Sequence, residues 1–302
     1  ENDTLKFVNN KDNIFGIASI TKTFTGTILA KLVMDEKIML DEPIKNVLPV
    51  PIKQSSLNGK EVTVLNLANH TSGIPREPNN QKNYKGGAIY NKEKLYDYLS
   101  NYMVLQSEPG KKRYYSNLGF GLLTQILTLK AGKSYGEMLS EIILSPLNMN
   151  STFVQPNEKQ LQKIVKGRDP KGKEADFSKI DAFDAFLGVG GISSSATDLT
   201  KYVRAFFEDT TSYYHLALQP TFEENEQQLS CLGWGIYKLG EYELYPAFGA
   251  GDSYSCGLIF EKETKTAIIL LTNVSGYLAI KGDYVSSLCR SLSNIEFKYL
   301  EN

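Results

Sequence analysis

A serine and a lysine stand three residues apart near the start of the 302-residue chain, in Ser19-Ile20-Thr21-Lys22. Apolar residues recur at helical spacing from here to about Met34, which predicts that Ser19 opens a buried amphipathic helix. Residues three apart share a helix face, so the Lys22 ammonium can reach the Ser19 hydroxyl, and a helix N-terminus favours negative charge. The pattern is typical of an activated nucleophile. The alternative is that Ser19 is an N-cap and Lys22 a solvated side chain.

A second candidate element is Tyr115-Ser116-Asn117, the one Tyr-x-Asn in the chain. A tyrosine has an ordinary pKa of about 10, but a close ammonium stabilises the phenolate and makes it usable as a general base. Asn117 can both donate and accept, so it can hold the lysine or a substrate amide. The alternative is that Tyr115 is half-buried packing and that Asn117 caps a helix from Leu118 to Thr128.

The overall composition excludes several classes of function. Lysine and arginine total 33 against 34 aspartate and glutamate, a net charge of −1, so no basic excess is present to neutralise nucleic-acid phosphates. Hydrophobic residues make up 41% of the chain, which is typical of a folded protein. The longest apolar run, residues 267–271, is far shorter than the roughly 18 residues that cross a bilayer. We expect no nucleic-acid partner and no transmembrane segment in this fragment.

The residues that bind metals are scarce and badly spaced. The three cysteines show no Cys-x-x-Cys spacing, and the chain has two histidines, His70 and His215. This argues against a disulfide scaffold and a structural zinc site. A Gly-x-x-x-x-Gly-Lys at residues 167–173 is followed by Glu174, where a phosphate loop needs serine or threonine, so a polar loop is favoured. We expect no metal and no cofactor.

Hydrophobic periodicity outlines the elements that must position the candidate residues. Residues 4–8 and 14–17 predict one strand leading into the helix of Ser19. Further helices are predicted at about residues 92–103, 117–131, 135–145, 196–208 and 276–292. Strand-like runs separated by turns occupy residues 233–237, 241–245, 255–261 and 266–272, which is typical of an antiparallel sheet, and residues 295–299 alternate as an edge strand would.

These elements predict a mixed α/β (α+β) fold. An antiparallel sheet flanked by helices is expected from both chain ends, with a mainly helical region inserted between them. We expect residues 1–45 and 186–302 to form the sheet domain and residues 46–185 the helical domain.

Several segments, in order along the chain, resemble one known family. The two motifs above look like those of the β-lactamase-related serine hydrolases: class C β-lactamases, D-Ala-D-Ala carboxypeptidases and related esterases. The resemblance covers about residues 14 to 290 and implies a β-lactamase/penicillin-binding-protein-like fold. The other segments that carry it are His70-Thr71-Ser72-Gly73, Pro109-Gly110, Ser145-Pro146-Leu147-Asn148-Met149, Gly190-Gly191-Ile192-Ser193-Ser194 and Leu232-Gly233-Trp234-Gly235.

The family's mechanism implies roles for the matching residues. By this resemblance Ser19 attacks a carbonyl to form an acyl-enzyme, Lys22 and Tyr115 move the proton, Asn117 assists, and water releases the acyl group. The backbone N–H groups of Ser19 and Ala250 would form the oxyanion hole.

The third motif departs from the family. Relatives carry Lys-Thr-Gly, Lys-Ser-Gly or His-x-Gly on an inner strand, where this chain has Ala247-Phe248-Gly249. The backbone role of Ala250 survives this change, but the cation that helps to hold a substrate carboxylate is missing. We therefore expect a preference for acyl donors whose leaving part bears no free carboxylate.

The expected substrate is an amide or ester of a small molecule or peptide, such as a D-amino-acyl compound of the bacterial envelope. The resemblance implies a periplasmic, extracellular or membrane-anchored location outside the cytoplasm. One alternative is a true class C-type β-lactamase or D,D-carboxypeptidase. Another is a non-catalytic binding or sensory module on the same scaffold.

Other residues receive structural interpretations. The family resemblance makes His70 a structural residue, while His215 fits surface or packing, and Trp234 and Tyr237 line the cleft or pack in the core. Relatives place a helix and two strands before the nucleophile, whereas 18 residues precede Ser19 here. We expect either that a preceding piece is missing or that residues 295–299 complete the sheet edge.

Overall fold

The computed structural model describes residues 8–80, 90–169, 172–174, 184–208, 212–251, 253–274 and 291. The predicted strand at residues 4–8 lies almost wholly outside this part of the chain, and residues 295–299 lie entirely outside it. The predicted last helix at 276–292 lies outside it except for Ser291.

Six antiparallel strands form the main sheet, in the order β10-β9-β8-β7-β6-β5. They are β5 (Phe222–Asn225), β6 (Gln228–Ser230), β7 (Gly235–Leu239), β8 (Tyr242–Ala250), β9 (Ser255–Glu261) and β10 (Thr266–Thr272). Each strand pairs with the next along the chain, as short turns permit in an antiparallel sheet. The predicted antiparallel sheet is therefore confirmed.

β8 extends further than its sequence pattern predicts, from Tyr242 through Pro246 to Ala250. Strand β7 pairs with β8 only as far as Leu244, and beyond that residue the described neighbour is β9. A proline is tolerated there because this stretch of the strand has one open edge, where no N–H donor is needed. Gly249, near the end of this stretch, lies against the turn that carries Ser19.

The start of the described chain joins a different ladder from the one predicted. Strand β1 (Phe15–Gly16) pairs with β4 (Ser193–Ser194), while β2 (Ser56–Leu57) pairs with β3 (Lys60–Glu61). Within the described residues, all six strands of the main sheet come from residues 222–272. Strand β1 thus pairs with β4 in a separate two-stranded ladder, and the expectation that both chain ends contribute to the sheet domain stays a prediction.

Helices are the main regular elements of the described chain before the six-stranded sheet. They are α1 (Thr21–Met34), α2 (Val64–Ala68), α3 (Lys92–Asn101), α4 (Asn117–Ala131), α5 (Tyr135–Leu139), α6 (Glu158–Leu161), α7 (Leu187–Gly190), α8 (Ala196–Glu208) and α9 (Tyr213–Ala217). A π-helical turn, Ser140–Leu144, continues α5. Among the described helices, none combines the length and apolar character needed to cross a membrane.

Helix α1 is the centre of the molecule. Eleven of its fourteen residues are buried, so it is enclosed on all sides and not amphipathic as expected. Its threonines are accommodated because their hydroxyls bond to carbonyls: Thr23 donates to Ile20 O at 2.8 Å and Thr27 to Thr23 O at 3.0 Å. Phe24 stacks on Tyr202 of α8 with ring centroids 3.9 Å apart. This packing fixes the helix that follows Ser19.

An aromatic cluster joins the sheet to the helices. Phe260 of β9 is fully buried, and its ring centroid lies 4.9 Å from that of Tyr245, 5.2 Å from that of Trp234 and 5.5 Å from that of Phe206 on α8. Large aromatic rings bury much apolar surface and prefer such stacked and edge-to-face contacts. The cluster holds β8 and β9 in a fixed position relative to α8.

Candidate active site

Ser19 lies in a 3-10 turn, Ala18–Ile20, that continues directly into α1. Ala18 has a φ of 44°, in the left-handed region that alanine rarely adopts, and such strain is concentrated at functional sites. No side chain caps the start of this turn or of α1, so Ser19 is not an N-cap. The Ser19 hydroxyl is instead engaged by residues of the cleft.

Lys22 is buried beside this hydroxyl, with 2% of the residue exposed. Its Nζ donates to Ser19 Oγ at 3.0 Å and to the carbonyl of Val189, on α7, at 2.9 Å. The alternative of a solvated lysine is therefore wrong. The Val189 carbonyl holds the amine beside Ser19 Oγ, and the contact between Lys22 and Ser19 is the one that the Ser-x-x-Lys spacing predicts.

Tyr115 brings the third group to the same point. Its Oη donates to Ser19 Oγ at 2.9 Å across 96 residues of sequence. The loop before α4 is held by hydrogen bonds to backbone carbonyls: Tyr114 N donates to His70 O at 2.7 Å, and the Ser116 hydroxyl donates to Pro75 O at 2.7 Å. Ser19, Lys22 and Tyr115 thus converge in one cleft, and Tyr115 is not mere packing.

The charges around this cluster shift two pKa values in the direction that proton transfer requires. Burial lowers the pKa of Lys22, and nearby Tyr115 and Glu77 only partly oppose this effect. Burial would raise the pKa of Tyr115, but the Lys22 ammonium, the hydrogen bonds from Lys22 and Ser19 and the charge of Arg76 outweigh it, so that pKa is lowered. A lowered pKa leaves a larger fraction of each group deprotonated near neutral pH, and the deprotonated form is the one that can accept a proton.

Asn117 is placed differently from the sequence-based expectation. It is the first residue of α4, and its neighbour Ser116 is the N-cap, accepting from Gly119 N at 2.8 Å. Its Nδ2 donates to Glu77, and its buried Oδ1 has no hydrogen-bond partner among the described residues. Glu77, not Lys22, is the residue that holds the amide.

The third-motif residues lie on β8 next to the nucleophile. A Cβ added to Gly249 would stand 2.2 Å from Ile17 O and 3.1 Å from Ser19 N, so glycine permits the close approach of strand and turn. Ala247 is buried toward the main core, whereas Phe248 packs with the cluster on the other side of the sheet. Ala250 ends the strand opposite Ser255. No side chain of the motif supplies a charge.

A cleft of about 600 Å³ opens beside Ser19. Its apolar wall comes from the sheet and its polar wall from the segment before Tyr115, where Arg113 Nε pairs with Glu224 Oε1 at 3.0 Å. The Arg113 and Glu224 charges offset each other, so they leave no net charge for an ionic leaving group. The residues that line this cleft include Ser19, Lys22, His70, Arg113, Glu224, Tyr237 and Phe248.

Two aromatic residues and the two histidines singled out in the sequence differ in whether they line the cleft or pack elsewhere. Trp234 and Tyr237 both line the cleft, and Trp234 is also packed in the aromatic cluster with 4% exposed. His215 lies on α9, and its Nε2 is 2.9 Å from Gln219 Nε2. His70, by contrast, lies against the ring of Tyr115.

Sequence reasoning missed the polar residues that surround the triad. Arg76, Glu77 and Arg113 stand in segments with no recognisable spacing, and Glu224 lies in a strand that the pattern did not predict. The position of Arg113 two residues before Tyr115 was the one signal that could have pointed to the cleft. His70 had a signal as well, its place in His-Thr-Ser-Gly, which was interpreted as structural.

The buried Ser-x-x-Lys pair, the tyrosine hydroxyl on the same serine and the adjacent antiparallel sheet form the arrangement that the sequence resemblance predicts. The Beta-lactamase family model matches residues 8–283. The chain belongs to the Beta-lactamase family, which confirms the resemblance seen in its motifs.

Curated relatives and solved structures agree with this assignment. The chain is 27% identical over 277 residues to the D-alanyl-D-alanine-carboxypeptidase/endopeptidase AmpH of Escherichia coli K12, covering 88% of this chain and 66% of AmpH. It is 27% identical to a beta-lactamase of Pseudomonas fluorescens, covering 75% of this chain and 61% of that protein. The chain thus spans less than two thirds of these relatives.

Two solved structures share the fold. A beta-lactamase/D-alanine carboxypeptidase from Yersinia pestis superposes with a TM-score of 0.79 at 23% identity, covering 94% of this chain and 84% of that one. A protein of the same description from Pseudomonas syringae gives a TM-score of 0.76 at 18% identity, covering 88% and 81%. The predicted fold class is confirmed.

Proposed function

We propose that this chain hydrolyses an ester or amide through an acyl-enzyme on Ser19. The Ser19 hydroxyl gives its proton to the Lys22–Tyr115 pair while Oγ bonds to the carbonyl carbon. The bond to the leaving alcohol or amine then breaks, and the pair returns the proton to that group. Water, deprotonated by the same pair, cleaves the acyl ester and restores Ser19.

The observation that carries the proposal is the pair of hydrogen bonds on Ser19 Oγ, at 3.0 Å from Lys22 Nζ and 2.9 Å from Tyr115 Oη. The lowered pKa values of the buried Lys22 and Tyr115 agree with this role, because groups with shifted pKa values are concentrated at sites that transfer protons. We assign the oxyanion hole to the backbone N–H groups of Ser19 and Ala250. The approach of Gly249 to the Ser19 turn supports this assignment.

The preferred acyl donor has an uncharged leaving group. Ala247 and Phe248 provide no cation, and the Arg113 charge is already offset by Glu224 at 3.0 Å. A charge-assisted hydrogen bond contributes about 1.5–3 kcal/mol, so its absence weakens carboxylate-bearing donors by roughly ten- to a hundredfold. A D-amino-acyl peptide or ester of the bacterial envelope, held outside the cytoplasm, is the substrate class that the family resemblance favours.

The test compares acylation of Ser19 by a penicillin and by an activated ester of similar acyl size, followed by intact-mass measurement. We expect the ester to add its acyl mass faster, and no adduct in Ser19→Ala. Faster labelling by the penicillin overturns the leaving-group preference. No adduct from either donor or from a broad serine-reactive probe favours the non-catalytic binding or sensory module.

A β-lactamase or D,D-carboxypeptidase activity is the second candidate, favoured by the names of the E. coli and P. fluorescens relatives. Hydrolysis of a penicillin, or release of the terminal residue from a D-Ala-D-Ala peptide, at a rate matching the ester would establish it. We also propose that the two regions, residues 1–45 with 186–302 and residues 46–185, meet at this cleft. Ser19 and Lys22 come from the first region, and His70 and Tyr115 from the second.

A further inference from the structure

His70 is a buried titratable residue to which the proposed reaction gives no role. It is 6% exposed, lines the cleft with Ser19, and has a φ of 64° in the left-handed region. Its ring centroid lies 4.4 Å from that of Tyr115 and 4.9 Å from that of Phe120. Lys22 Nζ lies over the same two rings, 5.1 Å and 5.8 Å from their centroids. The histidine is therefore packed against the proton-transfer pair.

Hydrogen bonding fixes the orientation of this imidazole. Ser116 N, the backbone donor next to Tyr115, donates to His70 Nδ1 at 3.2 Å. The His70 carbonyl in turn accepts from Tyr114 N at 2.7 Å. Because Nδ1 is an acceptor, the neutral ring carries its proton on Nε2. His70 thus holds the backbone on both sides of Tyr115 as well as one face of its ring.

We propose that His70 is the positioning residue of Tyr115, setting the place of its phenol on Ser19 and excluding water from Lys22. The inference rests on the proposed function, since it concerns the same proton relay.

The charges around His70 favour an imidazole ring that stays neutral while it positions Tyr115. Burial lowers its pKa well below the ordinary value, and the positive charges of Arg113, Lys22 and Arg76 lower it further. Of the two carboxylates in this region, Glu224 is paired with Arg113, and Glu77 accepts from the amide of Asn117. An imidazolium here would add another positive charge beside Lys22.

The variant His70→Asn distinguishes a role of the His70 ring in positioning Tyr115 from a role in folding of the loop. Asparagine tolerates a positive φ, and its Oδ1 can replace Nδ1 as the acceptor for Ser116 N, so the loop keeps its bond and loses the ring. His215→Asn is the matched control, because it changes the other histidine on α9. Acylation by the activated ester is measured against pH and divided by the number of sites titrated with a serine-reactive probe.

We expect acylation per titrated site to fall about ten- to a hundredfold in His70→Asn, since small misplacements of a catalytic group carry costs of this size. The acidic limb of its pH profile should move to higher pH. Lys22 is the more deeply buried member of the pair, and water admitted beside it stabilises the ammonium. The pKa of Lys22 then rises, so the lysine stays protonated up to a higher pH. His215→Asn should match the wild type in both rate and pH profile.

The outcomes distinguish the two levels of the proposal. A wild-type chain that takes no label refutes the proposed function and this inference together. A labelled wild type with a His70→Asn variant of equal rate and equal acidic limb refutes the inference alone. If His70→Asn does not fold, the inference is tested instead by the NMR signals of the imidazole C–H groups in the wild-type protein. Acylation of Ser19 must shift the His70 signal and leave that of His215 unchanged, and an unmoved His70 signal overturns the inference.

Discussion

Replacing Gly249 by alanine should damage the nucleophile more than the fold. The added Cβ would stand 2.2 Å from the carbonyl oxygen of Ile17 and 3.1 Å from Ser19 N. Both neighbours are backbone atoms, so no side chain can rotate away. Strand β8 and the turn must separate by more than about 1 Å to reach an ordinary van der Waals contact.

This displacement sets the expected magnitudes. A misplacement of about 1 Å at reacting groups costs about a hundredfold in rate, or about 2.7 kcal/mol of transition-state stabilisation. Overpacking a well-packed region costs about 1–3 kcal/mol of folding stability. Gly249→Ala should therefore remain folded but acylate about a hundredfold more slowly.

The assay measures acylation by an activated ester per titrated site, together with urea unfolding. Gly136→Ala on α5 is the control, because its Cβ would meet only the tip of the Val154 side chain at 3.3 Å. It should keep the wild-type rate. Wild-type acylation in Gly249→Ala, with unchanged stability, would show that strand and turn do not make this contact and would remove the support for the oxyanion hole.

Three further predictions concern the relay and the core. Tyr115→Phe removes the hydroxyl 2.9 Å from Ser19 Oγ and should slow acylation about 10²- to 10⁴-fold with an unchanged circular dichroism spectrum; a loss below fivefold would contradict a role in proton transfer. The pKa values of Lys22 and Tyr115 are lowered, so kcat/KM should rise with pH as the pair loses a proton and should level off below about pH 10. A kcat/KM profile that is flat from about pH 5 to 9 would contradict this expectation. Phe260→Ala should lower the free energy of unfolding, measured in urea, by about 3–5 kcal/mol, because the ring is fully buried among other aromatic rings. A loss under about 1 kcal/mol would mean that the neighbouring rings collapse to fill the cavity.

Local signals explain which elements the sequence predicts well. Helix α4 has the predicted bounds because Ser116 caps its start and Gly132, with a φ of 63°, ends it. Strands β9 and β10 match as well, since their apolar runs are bounded by turns. Strand β5 escaped prediction because three of its four residues are exposed and it has no alternating apolar face.

The candidate site likewise contains contacts that the sequence predicts and contacts that it does not. The Ser19–Lys22 contact spans three residues, so helical spacing alone predicts it. Tyr115 lies 96 residues from Ser19 and entered the site through resemblance to a family. The partner of Asn117 and the Arg113–Glu224 pair have no such guide, since side-chain partners across a fold depend on tertiary packing and leave no local pattern.

The carbonyl of Val189 that holds the Lys22 amine lies 167 residues further along the chain. Residues 19 and 22 are synthesised before residue 189, so the amine gains this anchor only after α7 has been made and has docked on α1. Contacts so distant in sequence form late, because loop-closure entropy must first be overcome. On the proposed mechanism, a nascent or interrupted chain that lacks this anchor should not acylate at Ser19, and covalent labelling of Ser19 would then report that α7 has docked on α1.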